Sequence, residues 1–288
     1  MFAVNRTEDH GRKPRLKLPG YTCDTHSHIY GLQDEYPHVE GRESRYAPLE
    51  AYRDMLTRTG IERSVIVQPS LYGFDNRCTL DAIKVLGQDR ARGTVVIKPN
   101  ATKKEIEELH AGGIRGIRIS HSGDELSPDS AGQIARLIEP FGWVIQIQDS
   151  RDRWIAEAAP SLSNLPVPLI FDHIGRTPRG VGADDDEFKA IVKLIETGRV
   201  WVKISGVYYS SQSGPPRFED AAERIRILVE ARPDRLVWAL NWPFPDYEDQ
   251  AGADAADFVD IMEEWVPNEV TRKMIFVDNP GKLYGFDT

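Results

Sequence analysis

Residues 21–28 read Tyr-Thr-Cys-Asp-Thr-His-Ser-His, a strand-like run that closes on two histidines, His26 and His28. In an extended strand, residues two apart share a face, so both imidazoles can converge on one metal, carbonyl or phosphate. A lone His-x-His is a weak signal, and the chain beyond it decides its meaning. With Tyr21–His28 as the first, further runs rich in Val and Ile follow at Arg63–Ser70, Gly93–Pro99, Ile114–His121, Trp143–Ser150, Pro168–Gly175, Val200–Tyr208 and Arg235–Pro243. Between them, apolar residues three and four apart mark amphipathic helices. Examples are Phe188, Ile191, Val192 and Ile195, and Phe218, Ala221, Ala222, Ile225, Leu228 and Val229. Strands alternating with helices imply a parallel sheet with crossover helices, and eight such units predict an α/β chain closed as a (β/α)8 TIM barrel. A doubly wound open sheet is the competing fold, but no glycine-rich turn opens a helix after the first run.

A chain of 288 residues suits a single barrel, which takes about 250. With 40% hydrophobic and 28% charged residues it has material for a large core. The reading is a polar leader over 1–18 and one barrel domain over 19–288. A net charge of −9 argues against a nucleic-acid or anionic-membrane surface, so an anionic substrate has to be captured by local arginines. The two cysteines, Cys23 and Cys78, are too few for a disulfide framework or a zinc ribbon, and neither has a nucleophile signature around it. With no apolar targeting segment or membrane-length run, the expected location is cytoplasmic. Barrel helices give no mark separating monomer from homo-oligomer.

In a barrel, chemistry sits at the C-terminal ends of the strands. Those ends carry His26 and His28, Gln68 and Ser70, Arg118, Gln146 and Gln148, then Asp172-His173-Ile174-Gly175-Arg176, Lys203 and Ser205, and finally Asn241. A polar residue often ends a strand merely because the next one meets solvent. Seven of eight strands ending in such groups point instead to a polar site at the barrel mouth. Long loops at 180–186 and 210–216 are expected to stand over it.

The ordered set of motifs resembles the amidohydrolase superfamily. It comprises Asp-Thr-His-Ser-His, Val-Gln-Pro-Ser with Asp75-Asn76, Gly113-Ile-Arg-Gly-Ile-Arg, Phe-Asp-His-Ile-Gly-Arg, Trp-Val-Lys-Ile-Ser-Gly, Asn-Trp-Pro, and Asn279-Pro280 with Leu283-Tyr284-Gly285-Phe286. Within that superfamily the chain is most similar to the group of 2-pyrone-4,6-dicarboxylate lactonases and galactarolactone isomerases, from about Pro19 to the C-terminus. The resemblance implies a small-molecule lactone or sugar-acid substrate, metal-free chemistry, and His26, His28 and His173 polarising the lactone carbonyl. On residue chemistry alone the same three histidines could hold a single zinc, making a zinc-dependent hydrolase or decarboxylase the alternative. A zinc site usually adds a carboxylate or thiolate, however, and here strand eight offers Asn241, a poor ligand, and strand five Gln148 where a binuclear site would want a histidine or bridging lysine. Asp24 and Asp172 each precede a histidine and, by strand alternation, are expected to point away from the site.

Lactone hydrolases of the group carry an aspartate base where this chain has Asn241, which cannot take a proton at neutral pH. A hydroxyl of the substrate itself is then the expected nucleophile, favouring lactone isomerisation over hydrolysis. Arginine presents a planar fork to a carboxylate, and the resemblance gives that role to Arg118 together with Tyr46. The segment Ser120-His121-Ser122-Gly123-Asp124 lacks a second arginine of the pyrone lactonase clamp, so one carboxylate is expected on the substrate. Gln146, Gln148, Ser70 and Tyr208 could bond hydroxyls, while Arg176 and Lys203 could add charge. A non-catalytic barrel that binds a small acid is the reading from a different class.

Overall fold

Eight parallel strands run in chain order around one sheet in the computed structural model, which describes residues 6–42, 46–120, 131–149, 154–162, 164–247 and 253–287. They are β1 (Cys23–Ser27), β2 (Arg63–Val67), β3 (Ala91–Val95), β4 (Ile114–Ser120), β5 (Val144–Gln148), β6 (Leu169–Phe171), β7 (Val200–Ile204) and β8 (Leu236–Trp238). Each overlaps one of the Val/Ile-rich runs, β3 beginning two residues before its run, and the barrel is nearly closed. The runs overshoot the strands at their C-terminal ends, and after β6 and β8 the backbone there turns left-handed. His173 has φ 53° and Asn241 has φ 61°, values that no count of apolar residues reveals.

The seam between β1 and β8 is closed by backbone just beyond the strands. His28 N–H donates to Trp242 O at 2.8 Å and Asn241 N–H donates to His26 O at 2.9 Å. Three of the expected site residues are thereby tied together through their main chains.

The helices that matter here are α1 (Leu49–Thr59), α2 (Arg77–Leu86), α3 (Lys103–Ala111), α4 (Ala131–Ile138), α5 (Trp154–Leu162), α6 (Asp186–Glu196), α7 (Glu219–Ala231) and α8 (Ala255–Asp260). Helix α6 starts because the Asp185 carboxylate caps Glu187 N–H, and its Phe188, Ile191 and Ile195 are fully buried as their spacing predicts. Burying a side chain of this size stabilises the fold by about 1.5–3 kcal/mol.

Inside the barrel, Cys23, Val65, Val144, Ile170, Trp201 and Val237 form an apolar layer that also takes Leu283, Tyr284 and Phe286 from the C-terminus. It fills one end of the barrel, leaving polar residues to the other. The polar leader is held by ion pairs: Arg12 meets Asp257 at 2.5 Å and Asp260 at 2.7 Å on α8, while Asp9 pairs with Arg58 of α1. Both cysteines are buried and unpaired with one another. Among the described residues no helix is long and apolar enough to cross a membrane.

Candidate active site

Strand alternation from the apolar layer decides which polar residues enter the barrel. Val144 leads to Gln146 and Gln148, Trp201 to Lys203 and Ser205, and Ile170 to Asp172. Asp172 therefore points inward, correcting the expectation that it would point away. That expectation took His173 as the inward residue of β6, whereas His173 lies beyond the strand end in the left-handed turn that carries its ring to the mouth. On β1 the parity set by Cys23 would turn His26 and His28 out. A register irregularity between Asp24 and Ser27 brings both in. Asp24 does face away from the site, as expected, accepting hydrogen bonds from Tyr52 OH and Leu240 N–H at 3.0 Å each and from Ser27 Oγ.

A buried polar chain underlies the mouth. Lys203 Nζ donates to Gln146 Oε1 at 2.8 Å and Thr25 O at 3.0 Å, and lies 3.3 Å from both Asp172 Oδ1 and His26 Nδ1. Gln146 Nε2 donates to Asp172 Oδ2 at 2.8 Å. Beyond the His26 ring, its Nε2 is 3.2 Å from His28 Nε2, and His28 Nδ1 is 2.8 Å from Val67 O. A carbonyl only accepts, so His28 Nδ1 carries the proton and its Nε2 is a lone pair, while His26 Nδ1 lies between the Asp172 carboxylate at 3.2 Å and the Lys203 ammonium at 3.3 Å. Burial drives His28 down to about 3 and holds His26 and His173 well below their ordinary value, so all three rings are neutral at neutral pH. Burial alone would raise Asp172, but the charge of Lys203 and the contact with His26 outweigh it and keep the carboxyl ionised. Lys203 is lowered to about 8 by burial, opposed by Asp172.

Above this chain lies a cavity of about 350 Å³ lined by His28, Ser70, Arg118, Gln148, His173, Arg176 and Asn241 together with Tyr30, Arg42, Tyr209 and Asp246. Seven of the ten residues expected at the site thus line one cavity. His26 lies beneath it, fully buried against the other two histidines at ring separations of 4.9 and 4.8 Å. Tyr208 stands behind Asn241, accepting from its Nδ2 at 2.7 Å. Tyr46 is not brought to the cavity; it lines a separate one with Ile29, Cys78 and Ala82 against α1 and α2. Gln146 and Lys203, read as substrate contacts, bond each other and Asp172 instead. His121 and the segment 121–124 lie outside the described residues.

Several polar atoms facing this region are buried without a partner: Asn241 Oδ1, Gln148 Oε1 and Arg118 Nε. Arg118 Nη1 is already committed to Gln68 O at 3.2 Å, and Gln68 is itself fixed by Thr79 and the backbone of Asp75. His173 Nδ1 is 2.9 Å from Ser205 Oγ. When that hydroxyl donates, His173 Nε2 carries a proton to offer a substrate oxygen. Arg42 and Asp246 escaped the sequence reading because they sit on loops, and Tyr209 because it ends a single 3-10 turn, where no periodicity marks direction.

His26, Asp172 and His173 are the described residues grouped closely enough to hold a metal ion. Their ligand atoms lie within 4.8 Å of one another, and His28 is outside that group. Asp172, the anion such a site would need, is already engaged by Lys203 and Gln146.

The amidohydrolase family model matches residues 23–286. A 4-sulfomuconolactone hydrolase of Hydrogenophaga intermedia is 31% identical over 278 residues, covering 94% of this chain and 91% of that protein. A 2-pyrone-4,6-dicarboxylate hydrolase of Comamonas testosteroni is 32% identical over 288 residues, covering 94% and 92%. A D-galactarolactone isomerase of Agrobacterium fabrum is 29% identical over 280 residues, covering 95% and 94%.

Proposed function

The chain belongs to the amidohydrolase family, and from that membership we propose that it isomerises a small carboxylated lactone of the sugar-acid type without a metal ion. The nucleophile in this reading is a hydroxyl of the substrate, which attacks the lactone carbonyl and exchanges one ring size for another. The observation that carries it is Asn241. Its Nδ2 is held by Tyr208 OH at 2.7 Å and Tyr209 OH at 3.4 Å, so its unpartnered Oδ1 is a fixed acceptor beside His28 and His173. An amide oxygen there positions a hydroxyl and takes no proton, which disfavours water activation at that residue.

The remaining contacts suit the same substrate. Arg118 offers its open Nε edge to a carboxylate, and Gln148 Oε1 asks for a hydroxyl donor. His173 donates to the carbonyl oxygen as charge develops on it, and loss of one such donor costs ~100-fold in rate. Holding nucleophile and carbonyl in one bound molecule supplies roughly 7–11 kcal/mol of the barrier. Relatives named for lactone hydrolysis and lactone isomerisation support the substrate class. A second reading, hydrolysis of a lactone bearing two anionic groups, is favoured by Arg42 and Arg176 lining the same cavity as Arg118.

A proton NMR time course with six-membered galactaro-lactone separates them. The proposal expects the five-membered lactone to accumulate before open acid; direct appearance of open acid favours hydrolysis.

A further inference from the structure

We propose that Asp24 and Thr25 are positioning residues for the reaction: from outside the cavity, their side chains set where His26, His28 and Asn241 stand relative to one another. The inference rests on the lactone reading above and names what holds that site together.

Seven parallel ladders join the strands from β1 round to β8. Among the described residues, β1 and β8 themselves meet in one isolated bridge, Ser27 with Trp242. Buried backbone groups facing such a gap need other partners. Two side chains of β1 supply them. Thr25 Oγ1 donates to Trp238 O at 2.8 Å, and Asp24 Oδ1 accepts from Leu240 N–H at 3.0 Å. From the next residue the main chains take over, with Asn241 N–H on His26 O and His28 N–H on Trp242 O. The Asp-Thr pair thus replaces the ladder that is missing just before the site.

Asp24 also acts on its own strand. Its Oδ1 accepts from His26 N–H at 3.2 Å, inside the register irregularity that turns both histidines inward. One oxygen therefore holds the N–H of a site histidine and the N–H of the residue before Asn241. The other oxygen is anchored by Tyr52 OH at 3.0 Å and by Ser27 Oγ. Asp24, Thr25, His26, Tyr52 and Asn241 are all fully buried, so bulk water does not replace a lost side-chain oxygen.

The test compares Asp24→Ala, Asp24→Asn and Thr25→Val with wild type on galactaro-lactone. Circular dichroism checks folding, and the ring 15N signals of His26 and His28 are recorded in parallel. Thr25→Val keeps the residue's shape and carries the test if Asp24→Ala does not fold. A displacement of about 1 Å between reacting groups costs ~100-fold in rate, and that loss of kcat is expected of folded Asp24→Ala, with ~10-fold in Thr25→Val. KM should change little in both, because Arg118 holds the carboxylate from β4. Asp24→Asn keeps an oxygen for both N–H groups and should recover most of kcat. A merely structural role would lower Tm and leave the kcat of the folded enzyme unchanged. Wild-type kcat in folded Asp24→Ala, or in Thr25→Val where Asp24→Ala does not fold, overturns the assignment and leaves the lactone reading intact. Absence of wild-type turnover overturns the lactone reading, and the ring signals then decide the positioning: displaced signals in the variants uphold it, and unmoved signals overturn it.

Discussion

An amide held by two phenols fixes the chemistry at position 241. The Tyr208 and Tyr209 hydroxyls accept from its Nδ2, and a carboxylate placed there would present an oxygen to the space that Oδ1 faces. Asn241→Asp is therefore expected to raise the hydrolysed fraction of product while leaving substrate affinity nearly unchanged. Product partition by NMR and a calorimetric Kd check this; loss of binding would contradict the role given to the residue. Most cavity residues were legible as polar groups ending apolar runs, which is why His28, Arg118, Gln148, His173 and Asn241 could be named from the chain alone. Asp172 was misread because its direction depends on where β6 stops, at Phe171, before the turn at His173. Tyr46 was named by likeness and lines another cavity, where the bridge between Tyr30 and Ala47 pins the chain beside it.

At the scale of elements, the turns after β6 and β7 fit each other through a missing side chain. Gly206 has φ 50°, and a Cβ built on it would come within 2.5 Å of His173 Nδ1. The glycine that ends the Trp-Val-Lys-Ile-Ser-Gly motif therefore makes room for the histidine of Phe-Asp-His-Ile-Gly-Arg. Gly206→Ala should displace the His173 ring and weaken its bond to Ser205, lowering kcat by ~100-fold, as loss of an oxyanion donor does. Steady-state kinetics beside a thermal melt check this, and a folded variant with normal kcat would contradict it. The sequence showed the motifs in order, but not that one exists to clear space for the other. That relation needs the neighbouring strands placed side by side.

For the molecule as a whole, eight parallel strands were legible because strand and helix periodicities alternate without interruption. The division of the barrel into an apolar layer and a polar mouth was not, since it depends on parity carried across every strand. Burying neutral histidines makes the fold acid-sensitive. The unfolded chain protonates His28 near its ordinary 6.5, whereas the folded ring resists to about 3. Between those values the unfolded state binds the extra proton. Stability is fully present above the upper value and is lost as pH falls toward the lower one. Thermal melts across that window should show a falling Tm, and a constant Tm would contradict the buried, neutral ring.

The committed carboxylate of Asp172 carries a second expectation for the whole protein. Exhaustive dialysis against a chelator, verified by metal analysis, should leave turnover unchanged. Activity that disappears and returns only with added zinc would contradict the metal-free reading.

In this mechanism the substrate's own hydroxyl, not water, attacks the carbonyl. Running the reaction on galactaro-lactone in oxygen-18 water and weighing the first-formed product by mass spectrometry tests it most directly. A five-membered lactone of unchanged mass is expected; an open acid carrying one solvent oxygen as the first product would show that water is the nucleophile.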